Sequence, residues 1–169
     1  MSTPEFSRPF DVRQMDRKAV RLVARESERA ALAKRFDLVR IDRLEADVVL
    51  ERDGPALNAS GTLSADIVQS CAVSAEDLPV AVRERLAFRF VPAANGHRPD
   101  EEIELAADEL DEIEFSGTNV DLGEAIAQSL ALAVDPFAAG PAAEEARGLL
   151  GGGPASPFAM LAALKKPGK

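Results

Sequence analysis

Between residues 39 and 92 the chain alternates apolar and polar positions over three long stretches, and that period of two predicts strands. In "DLVRIDRLEADVVLERDG" the apolar set is Val39, Ile41, Ala46, Val48 and Leu50, while Glu45, Asp47, Val49 and Glu51 take the other face. Asp53-Gly54 closes this stretch as a hairpin signal, with Pro55 making the turn less standard. "ALNASGTLSADIVQSC" follows, with Leu57, Ala59, Gly61, Leu63, Ala65, Ile67 and Gln69 on one side. Gly61 within it predicts a bulge or a close approach of another backbone. The third strand is "LPVAVRERLAFRFVP" (78–92), where Val80, Val82, Glu84, Leu86, Phe88 and Phe90 share a face and Arg83, Arg85 and Arg89 line the opposite one.

A period near 3.6 appears in two places. "SERAALAKRFDLV" predicts a helix near 27–37, with Ser27 as N-cap and Leu32 and Phe36 on one face. "NVDLGEAIAQSLALAVDP" predicts a helix at 121–135, capped by Asn119 or Asp121 and stopped by Pro136. Its stripe is Leu122, Ile126, Leu130 and Val134, broadened by Ala125, Ser129, Leu132 and Ala133. "EFSRPFDVRQM" (5–15) reads as a short edge strand around Pro9, 93–100 as a loop, and "IEL" and "EIEF" as short extended segments.

Together these predict one α+β domain over 1–137: a twisted antiparallel sheet, a meander with barrel-like curling as its variant, and two main helices. Residues 138–156, rich in Gly, Pro and Ala, read as a flexible linker, and 157–169 as a short apolar C-terminal segment.

Charge sharpens the picture. The first 43 residues carry eleven Lys/Arg against seven Asp/Glu, whereas residues 95–150 carry two basic against fourteen acidic groups. The whole chain has a formal net charge of −9, which opposes broad binding to nucleic acid and suits a partner with a basic surface. Arg13, Arg17, Lys18, Arg21, Arg25 and Arg29 form a basic segment, and Arg83, Arg85 and Arg89 are the candidate RNA-contacting stripe. With eight Phe, no Trp and no Tyr, a base-stacking platform has little to build on. No apolar run is long enough for a membrane span, and a soluble, cytoplasmic protein is the expectation.

The chemistry-bearing residues are few. One Cys and one His fall short of the four ligands of a structural zinc site, and the acidic runs lack the spacing of a calcium loop, so no metal is expected. "GLLGGGP" lacks the Lys-Ser/Thr ending of a phosphate cradle, so no cofactor or small-molecule substrate is expected either. Cys71 has His97 as its one possible base and no third orienting group; a buried apolar role outweighs a thiol enzyme or redox sensor.

The order of these segments resembles the YceD family, the large ribosomal RNA subunit accumulation proteins. Three stretches carry the likeness: "GTLSADIVQSCAVSAEDLPVAVRERLAFRFVP", "DEIEFSGTNVDLGEAIAQSLALAVDPF" and the terminal "SPFAMLAALKK". The resemblance implies a non-catalytic factor supporting large-subunit ribosomal RNA accumulation. Many relatives have a Cys-x-x-Cys pair where this chain has Cys71 and Ser74, and the departure removes any zinc or dithiol role here. The expected partner is a ribosomal protein or an assembly factor. It would be held by the acidic 100–124 region with Asp121 and Glu124, and by the apolar anchor of Phe158 and Leu161. Direct RNA binding is the second expectation.

Overall fold

The computed structural model describes residues 4–14, 16–93, 111–141 and 143. The predicted alternation becomes three long strands, β3 (Arg40–Asp53), β4 (Ala56–Ser70) and β5 (Asp77–Pro92). They are preceded by β1 (Pro9–Asp11), β2 (Arg17–Val23) and helix α1 (Glu26–Arg35), and followed by β6 (Asp111–Phe115), β7 (Asn119–Asp121) and helix α2 (Leu122–Ala133). The main sheet runs β2-β3-β4-β5-β6, and β1 pairs with β7 in a separate two-stranded ribbon.

The α+β class holds, with two corrections to the expected sheet. It is mixed rather than wholly antiparallel, because β6 lies parallel to β5, Phe88 opposite Asp111. It also stays open, with β2 and β6 as its edges, so the barrel-like variant is excluded. The basic N-terminal segment, to which the sequence assigned no element, adds a strand: Arg17–Val23 pairs antiparallel to β3 from Arg17↔Glu51 to Val23↔Glu45.

Period-two burial gives the sheet one apolar face. Leu44, Ala46, Val48 and Leu50 of β3, Leu57, Ala59, Leu63, Ala65 and Ile67 of β4, and Leu86, Phe88 and Phe90 of β5 are all buried. α2 lays Leu122, Ile126 and Leu130 into this face, and α1 contributes Leu32. Each large side chain so buried is worth about 2 kcal/mol relative to exposure. Leu132, expected within the α2 stripe, is 85% exposed, because it falls on the side of the helix away from the sheet. Gly61 marks a close approach and not a bulge: pairing runs unbroken through Val48↔Gly61, and an added Cβ would lie 2.0 Å from the Asp47 carbonyl oxygen.

The helix ends are set by local chemistry. α1 begins before Ser27, the expected cap, because Glu28 reaches back to accept the Arg25 N–H at 2.7 Å. It stops where Asp37 takes a left-handed φ of 55° and the Leu38 N–H bonds the Ala33 carbonyl. α2 is capped by Asp121, whose Oδ1 accepts the Glu124 N–H at 3.1 Å. Gly54, at φ 59°, makes the β3–β4 turn as expected.

Candidate functional site

Three places gather the residues singled out by the sequence. The first is the N-terminal end of α2. Asp121 there accepts the Ser7 hydroxyl at 2.6 Å and the Arg8 N–H at 2.8 Å in addition to capping the helix. Glu124 forms a bidentate pair with Arg35 at 2.8 and 3.0 Å and accepts Gln128 Nε2 at 3.1 Å. The Arg35 guanidinium, which also bonds Glu5, holds the Glu124 carboxyl below its usual range. Both candidate partner-binding acids therefore fasten the N-terminal residues and α1 to α2. They also line a recess of about 270 Å³ with Phe90, Ile113 and Phe115. Phe158 and Leu161, the rest of that candidate surface, lie outside the described residues.

The second place is the outer face of the main sheet. Register sets its side chains in columns: Arg17 and Arg21 on β2; Glu45, Asp47 and Glu51 on β3; Asn58, Ser60, Thr62 and Ser64 on β4; Arg83, Arg85 and Arg89 on β5. β6 adds Glu112 opposite Arg89 and Glu114 opposite Val91. Arg43 joins the face by donating to Asp66 at 2.7 Å and by pairing with Glu45. The three candidate RNA-contacting arginines differ among themselves. Arg89 donates to Asp53 at 2.9 Å and Asn58 at 3.2 Å, whereas Arg83 and Arg85 are exposed. Among the described residues the face holds Arg17, Arg21, Arg40, Arg43, Arg83, Arg85 and Arg89 against Glu45, Asp47, Glu51, Asp53, Asp66, Asp77, Glu112 and Glu114. Its charges nearly balance, with a slight acidic excess. Neighbouring strands are about 4.8 Å apart, so opposite columns cancel well within a Debye length of about 8 Å.

The third place is the β4–β5 connection, where Cys71 is buried. Cys71 N–H bonds the Glu76 carbonyl at 2.8 Å and Ala75 N–H bonds back to the Cys71 carbonyl at 3.0 Å, in a tight turn that puts Ala75 at φ 58°. The sulfur accepts the backbone N–H of Ser74 and of Gly140, each at 3.5 Å. The Ser74 side chain first, then these and the Val73 N–H, lower the thiol from 9.0 to about 6 against the effect of burial. The Ser74 hydroxyl also stands 3.4 Å from Glu76 Oε2. His97, the expected base, lies outside the described residues.

The turn does something the sequence reading missed: it fastens the segment that leaves α2. Gln69 Nε2 donates to the Asp135 carbonyl at 2.8 Å, and Ala72 N–H donates to the Ala138 carbonyl at 3.1 Å. Ala138 and Gly140, read as the start of a linker, are thus bonded to the β4–β5 connection, and Ala143 is buried. Gln69 offered a clue, since an amide at an inward position must find a partner. Among the described residues no helix is long and apolar enough to cross a membrane, and no group of three or more His, Cys, Asp or Glu is placed to hold a metal ion. Compared with profiles of known families, with characterised proteins and with solved structures, the chain matches none.

Proposed function

We propose that this protein is a non-catalytic ribosome-biogenesis factor, supporting large-subunit ribosomal RNA accumulation by binding a ribosomal protein or another assembly factor. The ribosomal part of the reading rests on the resemblance of three stretches to the YceD family. Two of these stretches meet in the fold: the Cys71 turn, inside the first, receives the Asp-Pro exit of the second through Gln69, Ala72 and the Cys71 sulfur. The choice of a protein partner over RNA rests on one observation, the nearly balanced charge of the outer sheet face. A polyanion gains affinity by releasing counterions to net positive charge, and columns of alternating sign offer it little.

Partner binding then falls to the acidic second half of the chain and to the apolar Phe158 and Leu161 near its end. Asp121 and Glu124 shape the recess at the α2 N-terminus while holding it together. The test is affinity capture from a nuclease-treated bacterial extract, followed by identification of the bound proteins. A ribosomal protein or large-subunit assembly factor retained after nuclease is the expected result, and loss of every ribosomal component on nuclease treatment overturns the reading.

Exposed Arg83 and Arg85 favour a second reading, direct RNA binding. Under it, Arg83→Ala with Arg85→Ala lowers affinity for ribosomal RNA and flattens its salt dependence by about two counterions. The lowered thiol favours a third, a thiol-dependent enzyme or redox sensor. Under that reading Cys71→Ser abolishes function in a chain that still folds.

A further inference from the structure

Among the described residues the main sheet has a long unpaired edge at β2, and its backbone polarity can be assigned residue by residue. Arg52 N–H bonds the Asp16 carbonyl and Ala24 N–H bonds the Leu44 carbonyl, each at about 2.9–3.0 Å, so even-numbered residues of this stretch face β3. Antiparallel pairing alternates strictly, so the N–H and C=O groups of Arg17, Ala19, Arg21 and Val23 point away from the sheet. The far end is closed: Arg8 Nη2 stands 3.5 Å from the Val23 carbonyl while the same guanidinium clamps Glu28 at 2.8 and 2.9 Å. From Arg17 to Arg21 no described residue pairs with the edge, and Arg17, Lys18, Ala19 and Arg21 are exposed.

We propose that the β2 edge is a strand-addition site for an extended, acidic segment of a partner protein. The backbone supplies three N–H donors and three carbonyl acceptors, at Arg17, Ala19 and Arg21. The charge supplies the selectivity: β2, "RKAVRLV", carries three cations and no acid. Arg17 and Arg21 stand on the outer face while Lys18 lies on the other side with half-buried Val20. An incoming strand with a carboxylate at every second position meets Arg17, shares Arg21 with Glu45 (2.8 Å from it) on the same face, and lays its apolar residues beside Val20 on the other. A second copy of β2 meets like charge instead, which disfavours edge-to-edge pairing of this protein with itself. This inference does not rest on the ribosomal reading, since it concerns a basic edge remote in sequence from the acidic half.

The experiment uses the full chain and a capped peptide of alternating Glu and Val, as long as the 7-residue β2. Bound peptide is expected to slow hydrogen exchange at the Ala19 and Arg21 amides by about tenfold or more, leaving amides already bonded to β3 unchanged. Ala19→Pro removes an outward N–H without touching the β2–β3 ladder, and should weaken peptide binding about tenfold or more. Ala19→Thr keeps the N–H and should bind as the parent does, with the melting temperature of both variants followed alongside. Arg17→Glu with Arg21→Glu should exchange the preference to a Lys-Val peptide. The proposal is overturned if the Glu-Val peptide protects neither amide, or if Ala19→Pro binds it undiminished. It is equally overturned if oligouridylate protects the same amides more strongly, or if the edge pairs with another copy in sedimentation.

Discussion

The two faces of the main sheet are made by the same strands, yet they are governed by different physics. On the inner face, side chains such as Leu50, Leu57 and Leu63 are fully buried, and each position is bound to its neighbours by packing that leaves no room for change. On the outer face, Arg21, Glu45, Arg43 and Asp66 form ion pairs in water, where attraction is screened and side-chain entropy opposes it. The inner face therefore decides whether the domain folds, and the outer face decides what approaches it. The lesson is that abundance of contacts is a poor guide to importance: the face with the many ion pairs is the one free to vary.

The comparison breaks most sharply at Gly61. Gly61→Val places a side chain where even a Cβ would lie 2.0 Å from backbone, and should cost about 3 kcal/mol or more, whereas Thr62→Val on the opposite face should be close to neutral. Thermal melts of the pair measure the contrast, and equal losses would erase the distinction between faces. Next, Leu63→Ala leaves a cavity in the core and should lose about 2–5 kcal/mol in urea unfolding. Asp121→Ala removes the α2 cap together with the bonds to Ser7 and Arg8, and should lose about 2 kcal/mol, with Asp121→Asn losing less.

A smaller effect concerns pH. Glu28, held by Arg8, and Glu124, held by Arg35, titrate below their ordinary value in the folded chain. The stability they lend is complete above the unfolded carboxylate value of about 4.3 and disappears as pH falls through their lowered folded values. Glu124→Gln should therefore flatten the acid limb of the stability curve and leave stability nearly independent of pH around neutrality. The smallest effect belongs to the outer face: Arg43→Ala should leave the melting temperature unresolved from the parent at moderate salt.

The three central strands and both helices were legible because burial on one side imposes a period on the residues themselves. β2 was not, because "RKAVRLV" reads first as charge, and its alternation of Val20 and Leu22 with Ala19 and Arg21 spans too few residues to outweigh that. The parallel sense of β6 was hidden for another reason: a strand's direction relative to its neighbour is a tertiary relation, and nothing in "DEIEF" encodes it. At the α2 N-terminus the cap was legible in Asp121, since its amide partner is three residues away. Its bonds to Ser7 and Arg8 were not, because no local pattern links positions more than a hundred residues apart. The same holds for Cys71, whose sulfur meets Gly140 only through the fold.

Those bonds at Asp121 have a consequence for synthesis. Residues 6–11 leave the ribosome well before α2 is made, but Phe6 is buried, and Phe10 pairs with Val120. Until the chain has grown past residue 124, this N-terminal piece has no place to dock, and the apolar face of the growing meander lacks its α2 cover. Closure of the domain thus waits for α2, when β1 and that helix are captured together.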